Sequence, residues 1–256
     1  MVEPRIALER VTKTYGAHVA LAEASLTVQA GEFVALVGAS GSGKTTLLKT
    51  INGLIAPESG EVRIEGEAVG ALAPHILRRR IGYVFQEVGL FPHLTVAENI
   101  SITPKLLGWD KARRAARAAE LLDLVALPRE MAGRFPAALS GGQQQRVGVA
   151  RALAAEPHIV LMDEPFGALD PLTRDALGDD YRALHERLNL ATVMVTHDMT
   201  EALLLADRIV VVADGRLIAD GAPQVLAASG DPEVAALLAA PRRQAERLRA
   251  RLGESA

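Results

Sequence analysis

The residues Gly38-Ala39-Ser40-Gly41-Ser42-Gly43-Lys44-Thr45 fit the pattern G-x-x-x-x-G-K-[ST]. Each residue type has a reason to be there. Glycines let the backbone curl so that successive N–H groups turn inward onto phosphate oxygens. A helix that starts at the end of such a loop presents its positive end to the same anion. Lys44 is expected to reach the β- and γ-phosphates of a nucleotide. The Thr45 hydroxyl is expected to bind Mg²⁺, which keeps water and phosphate as most of its other ligands. Thr46 completes the candidate nucleotide contacts of this segment. A Gly/Ser-rich surface loop would share the composition but not the context. Here Glu32–Val37 is a short apolar run before the loop, and Leu47, Leu48, Ile51 and Leu54 fall on one helical face after it.

Two carboxylates could make the site hydrolytic. Ile159-Val160-Leu161-Met162 reads as a buried strand ending in Asp163 and Glu164. Asp163 is the expected Mg²⁺ partner. Glu164 is the candidate general base for water, a role that typically contributes about 10²–10⁴-fold. Phosphoryl transfer otherwise needs mainly positioning and charge stabilisation. His197 ends the run Thr192–Thr196, where an imidazole can contact the γ-phosphate or orient the water. Gln86 follows the apolar run Ile81–Phe85, where an amide can coordinate Mg²⁺ or water and sense the γ-phosphate. Glu164, His197 and Lys44 are thus the catalytic candidates, and Thr45, Gln86 and Asp163 the metal candidates.

These groups need a framework of strands whose ends meet. The opening of the chain is β-rich, with Ile6 and Leu8, then Leu26 and Val28, alternating with polar neighbours. Pro57–Gly60 signals a turn before a strand at Val62 and Ile64. From Trp109 to Leu127 the pattern is helical, and Ser140–Ala154 reads as a helix. Residues 88–157 are therefore expected to form a helical lobe inserted into an α/β core. Strands at Ile159–Met162 and Ala191–Thr196 and a helix at Leu172–Leu188 resume that core. Asp214-Gly215 signals a hairpin, and the tail from Pro232 is expected to be helical.

Composition narrows the functions. Apolar residues are 49% and charged residues 23% of 256, an ordinary globular balance. The net charge of −3 gives no bulk argument for nucleic acid. No cysteine is present, so disulfides and thiolate metal sites are excluded. No charge-free window of about 18 residues occurs, so no membrane span is expected. The opening Met-Val-Glu-Pro-Arg does not read as a secretory leader, and a cytoplasmic protein is expected.

With these motifs in order, the sequence resembles the ATP-binding cassette family of transporter ATPases from about residue 6 to 226. Leu139-Ser140-Gly141-Gly142-Gln143 looks like that family's signature motif. The resemblance implies ATP and Mg²⁺ as ligands, and that Ser140, Gly141, Gly142 and Gln143 bind the γ-phosphate of ATP held by a second copy of the chain. Tyr15 sits where the family stacks an aromatic on adenine, although an aromatic there could equally be core. Gln86 matches the family's Q-loop, His197 its switch histidine, and Ala168-Leu169-Asp170 the D-loop that crosses the dimer interface. The implied fold is α/β: a P-loop ATPase core with an N-terminal antiparallel β subdomain and an inserted α-helical subdomain. Residues 1–228 would form the ATP-binding domain and 229–256 a helical tail. Two subunits would close head to tail over two ATP molecules, and the region Gln86–Leu94 would push on a membrane permease.

Lone subunits of this kind resemble importers. The stretches Ile81–Ile100 and Val195–Arg208 look most like the osmoprotectant group, which imports glycine betaine, choline and related quaternary amines. Importers of amino acids, polyamines and sulfonates carry similar stretches, and a soluble cassette acting on nucleic acid or ribosomes is the reading of a different class. The transport reading implies a permease partner, a periplasmic or lipid-anchored solute-binding protein, no nucleic acid, and a place on the inner face of the cell membrane. Many members of the group add a C-terminal regulatory domain, and regulation of that kind is not expected here. Arg113, Arg114 and Arg117 and the arginines of the tail are expected to be solvated helix faces rather than lipid contacts.

Overall fold

The computed structural model describes residues 3–167 and 169–252. The chain opens with β1 (Ile6–Tyr15), β2 (His18–Val28) and β3 (Phe33–Val37). The phosphate loop leads into α1 (Lys44–Ile51), then β4 (Ser59–Ile64) and β5 (Glu67–Ala68). The helix α2 (Pro74–Arg80) runs straight into β6 (Ile81–Val84). Four helices follow: α3 (Val96–Ile100), α4 (Ile102–Leu106), α5 (Lys111–Leu124) and α6 (Gly141–Leu153). The core resumes with β7 (Ile159–Asp163), α7 (Pro171–Leu188), β8 (Ala191–Val195) and α8 (Met199–Leu205). It finishes with β9 (Arg208–Ala213), β10 (Arg216–Gly221), α9 (Pro223–Ala227) and α10 (Pro232–Leu252).

The strands form two sheets. One is antiparallel, in the order β2-β1-β4-β5; the other runs β10-β9-β3-β8-β7-β6. In the second sheet β9, β3, β8, β7 and β6 are mutually parallel, and only β10 is antiparallel. Every residue of β3 and β8 is buried, as expected of parallel strands covered on both faces. Their side chains divide by period two. Val34 and Leu36 join a core with Ile6, Leu8, Leu21 and Leu47, between the two sheets. Phe33 and Ala35 join the opposite core with Leu121, Val147, Met162 and Tyr181. At the β9–β10 hairpin, Asp214 and Gly215 have φ of 45° and 74°, the left-handed pair that a two-residue turn requires.

The helices between β6 and β7 pack as a lobe on the second core. Thr95 and Glu98 form a capping box that starts α3. Asn99 is fully buried, and its amide spans the turn after Gln86 by bonding the Phe91 N–H and the Phe91, Leu94 and Thr95 carbonyls. The buried face of α5 is Ala118, Leu121 and Leu122. Burying each leucine stabilises the lobe by about 1.5–3 kcal/mol. Among the described residues, no helix is long and apolar enough to cross a membrane.

Candidate functional site

Register sets the site before any side chain does. Leu36 pairs with Val195, Asp163 with Val195, and Val84 with Met162. The carboxyl ends of β3, β8, β7 and β6 therefore lie side by side along one edge of the sheet. Open parallel sheets bind ligands at such an edge. The phosphate loop leaves β3, His197 follows β8, Asp163 and Glu164 end β7, and Gln86 follows β6.

The loop itself is held by close backbone approach. Gly38 and Gly43 have φ of 148° and 108°. A Cβ at Gly38 would lie 2.1 Å from the Val212 carbonyl oxygen, and one at Gly43 would lie 2.2 Å from that of Ala20. Ala39, Ser40 and Gly41 are exposed at the loop's rim, while Ser42, Gly43 and Lys44 are buried. The Lys44 ammonium donates to the carbonyls of Gly38 (2.9 Å) and Ala39 (2.7 Å). Burial lowers its pKa, and Glu164 and Asp163 oppose that shift. Thr46 is half-buried in the first turn of α1.

Two groups of candidates meet beside the loop. Thr45 Oγ1 donates to Asp163 Oδ1 at 3.0 Å. Burial raises the Asp163 pKa, against the Thr45 hydrogen bond and the Lys49 and Lys44 charges. A hydroxyl and a carboxylate, both hard oxygen donors, fit Mg²⁺. Among the described residues no cluster of three or more His, Cys, Asp or Glu side chains could cage a metal. The second group centres on Glu164. Its Oε2 accepts from Gln86 Nε2 at 3.0 Å and lies 3.3 Å from His197 Nδ1. Its backbone has φ 46° and its N–H donates to the Val195 carbonyl at 2.9 Å. Such a conformation costs a non-glycine residue about 1–3 kcal/mol and collects at functional sites. The hydrogen bond to β8 holds it in place.

The other candidates lie apart from this cluster. Tyr15, at the end of β1, is 50% exposed, so it is not a core residue. Lys13 Nζ lies 5.5 Å from its ring centroid. Ser140 caps α6, and its hydrogen bonds are shared with Gln143 in a capping box. Gly142 packs under Thr173, whose Cγ2 would lie 2.7 Å from a Cβ there. Gly141 is exposed, and no atom lies within 4 Å of a Cβ built there. Asp170 caps α7 by accepting from the Thr173 N–H at 3.1 Å, and hydrogen bonding from the Thr173 side chain and then its backbone lowers the Asp170 pKa. Ala168 lies outside the described residues.

Sequence reasoning missed the residues that tie these segments together. Arg151 on α6 donates to the Gly89 and Val88 carbonyls at 2.7 and 2.6 Å, just after Gln86. Gln145, also on α6 and buried, donates to the carbonyl of Pro165, next to Glu164. Asp198, after His197, caps α8. Only Asp198 left a signal, its spacing from Glu201 being that of a helix start.

The fold and this edge define a phosphate-loop nucleotide-binding protein of the cassette type. The chain belongs to the ABC transporter family, whose model matches residues 21–167. It is similar to the glycine betaine/carnitine/choline transport ATP-binding protein OpuCA of Bacillus subtilis (strain 168), with 53% identity over 217 residues, 84% of this chain and 57% of that protein. It is also similar to the glycine betaine uptake system ATP-binding protein YehX of Escherichia coli (strain K12), with 49% identity over 218 residues, 85% of this chain and 71% of that one. Against OpuCA, the chain spans a little over half the relative's length. Among solved structures it resembles the dimeric post-hydrolysis state of the cassette MJ0796 bound to ADP and Pi. There the TM-score is 0.77 and the identity 38%, covering 85% of this chain and 98% of that one.

Proposed function

We propose that the chain binds and hydrolyses ATP as half of a head-to-tail dimer, and that this powers import of an osmoprotectant through a separate permease. The observation that carries the hydrolytic reading is the convergence of Gln86 and His197 on one oxygen of Glu164, beside the Thr45–Asp163 pair. With Oε2 so engaged, Glu164 Oε1 makes no hydrogen bond among the described residues, and it is the atom that takes the proton from the attacking water. Gln86 and His197 orient that carboxylate and the water. Lys44 exchanges its loop carbonyls for β- and γ-phosphate oxygens. Thr45 and Asp163 would hold the Mg²⁺ of the nucleotide, which when bound would supply positive charge against the phosphates.

The dimer reading rests on Ser140–Gln143. Their hydrogen bonds close on themselves and leave an exposed helix N-terminus for the ATP of a second copy. Tyr15 would stack on adenine, and Asp170 would face the dimer partner. We place the ATP-binding domain at 1–228, with 88–157 as its helical lobe and 229–256 as a tail. The permease would dock on the cleft of about 460 Å³ between β6, α4 and α6, where Phe85, Phe91 and Leu54 are exposed. The chain would then sit in the cytoplasm, on the inner face of the membrane. The relatives' names support a quaternary amine as the solute.

Glu164→Gln tests the core of this. The variant is expected to bind Mg-ATP, to lose turnover by about 10²–10⁴-fold, and to dimerise in ATP. Normal turnover would remove Glu164 as the base. For the solute, ATPase activity of the reconstituted complex with its binding protein should rise with glycine betaine or choline and not with sulfonates.

A further inference from the structure

Arg174, one turn into α7, joins two segments that the proposed cycle must keep in step. Its Nη1 lies 3.3 Å from Asp198 Oδ2, and its Nη2 donates to the Leu169 carbonyl at 3.3 Å. Asp198 follows His197 directly. Its Oδ1 accepts from the backbone N–H groups of Thr200 (2.8 Å) and Glu201 (3.3 Å), and its own N–H donates to Thr196 Oγ1 at 3.0 Å. The residue after His197 is therefore anchored by its side chain, and Arg174 is the tertiary tie on that anchor. Leu169 stands beside Asp170 in the segment read as facing the dimer partner. We propose that Arg174 is a positioning residue that ties the placement of Leu169–Asp170 to His197, so that contact with a second copy holds the imidazole at its place beside Glu164. This rests on the reading of Glu164 as the base and of the Asp170 segment as a dimer contact.

The geometry is that of a lever rather than a strut. Both bonds are at the long end of the hydrogen-bond range, and Arg174 Nε is buried without a partner. A guanidinium is a rigid planar fork, so a shift of the Leu169 carbonyl at one tip moves the other tip against Asp198. A cleft of about 430 Å³ beside Arg174, lined also by Pro171, Asp175, Glu201 and Leu204, leaves room for that movement. The same helix carries a contrasting case. Asp180 on α7 is held by Arg146 of α6 at 2.6 Å, and Arg146 also donates to the Val125 carbonyl at 2.9 Å. Those short bonds fix α7 to the helical lobe.

The test uses the full chain, with Mg-ATP hydrolysis measured against ATP concentration. Arg174→Ala and Asp198→Asn should each lower kcat by about tenfold to a hundredfold, the scale of an ångström-sized misplacement. KM should stay within about twofold, since no contact to bound nucleotide is removed. Asparagine still caps α8, so Asp198→Asn isolates the pairing from the cap. The double variant should be no worse than either single one, as for two halves of one interaction. Arg174→Lys, which keeps the charge but cannot fork, should recover part of the loss. On a Glu164→Gln background, Arg174→Ala should still dimerise in ATP. Wild-type kcat in Arg174→Ala, losses that multiply, a loss carried by KM, or failure of that background variant to dimerise would each overturn the proposal. A wild-type chain that bound Mg-ATP without turning it over would refute the reading of Glu164 first, before any variant is compared, and the inference with it.

Discussion

Gly43→Ala tests the claim that the phosphate loop is shaped by close approach to β2. Gly43 has φ 108°, and a Cβ there would lie 2.2 Å from the Ala20 carbonyl oxygen and 3.3 Å from Leu21 Cδ2. Carbon meets a carbonyl oxygen at about 3.3 Å, so strand and loop must part by about 1 Å. Ala20 has little freedom to yield. It is 4% exposed, and the N–H of Ala22, two residues on, is bonded to the Gly215 carbonyl at 2.8 Å. The backbone conformation costs alanine about 1–3 kcal/mol, and overpacking a buried site costs a similar amount. For a chain of this size each kcal/mol lowers the melting temperature by about 2–4 °C, so a loss of roughly 5–20 °C is expected. Gly43 directly precedes Lys44, and a shift of about 1 Å there should cost about a hundredfold in turnover. Gly41→Ala is the control. Its φ is 79° and no atom lies within 4 Å of a Cβ there, so only the conformational cost of about 1–2 kcal/mol remains. Thermal melting and binding of a fluorescent ATP analogue read both variants. If Gly43→Ala melts with Gly41→Ala and binds nucleotide like the wild type, the close-approach reasoning is wrong.

Three further outcomes are expected. Ser140→Arg should leave nucleotide binding by the monomer intact and abolish hydrolysis; an active variant would refute the shared site. Arg151→Met should cost about 2–4 kcal/mol in urea unfolding, because the Val88 and Gly89 carbonyls lose a charged donor, and a change under 0.5 kcal/mol, the size expected of a neutral surface substitution, would count against that clamp. His185 is buried between Thr192 Oγ1 and the Gly31 carbonyl, and burial lowers its pKa. Its protonation is therefore penalised in the folded chain, so stability should be full above about pH 6.5 and fall as pH drops below it. Urea midpoints at pH 7.5 and 5.5 should differ less in His185→Gln than in the wild type.

The chemistry was legible in the sequence wherever it is local. Gly38–Thr45 reads as a phosphate loop because glycine spacing, a preceding apolar run and a following helical face are all properties of neighbouring residues. Asp163 and Glu164 read as strand-end acids for the same reason, and Ser140–Gln143 as a helix start. The burial of β3 was visible as an unbroken apolar run. What the tertiary structure decided is which of these ends meet. Gln86 and Glu164 are 78 residues apart, and their contact exists because β6 and β7 are neighbours in parallel register. His197 reaches the same oxygen because β8 flanks β7 on the other side. Tyr15 could have been core until the hairpin placed it half in solvent. Arg151 and Arg174 left no trace in the sequence, since an arginine on a helix face looks solvated until a distant partner is brought to it, the Val88 and Gly89 carbonyls for the one and the Asp198 carboxylate for the other. Periodicity and turn chemistry record what a segment does alone. Strand order and the partners of buried cations follow from long-range pairing, which only the folded chain expresses.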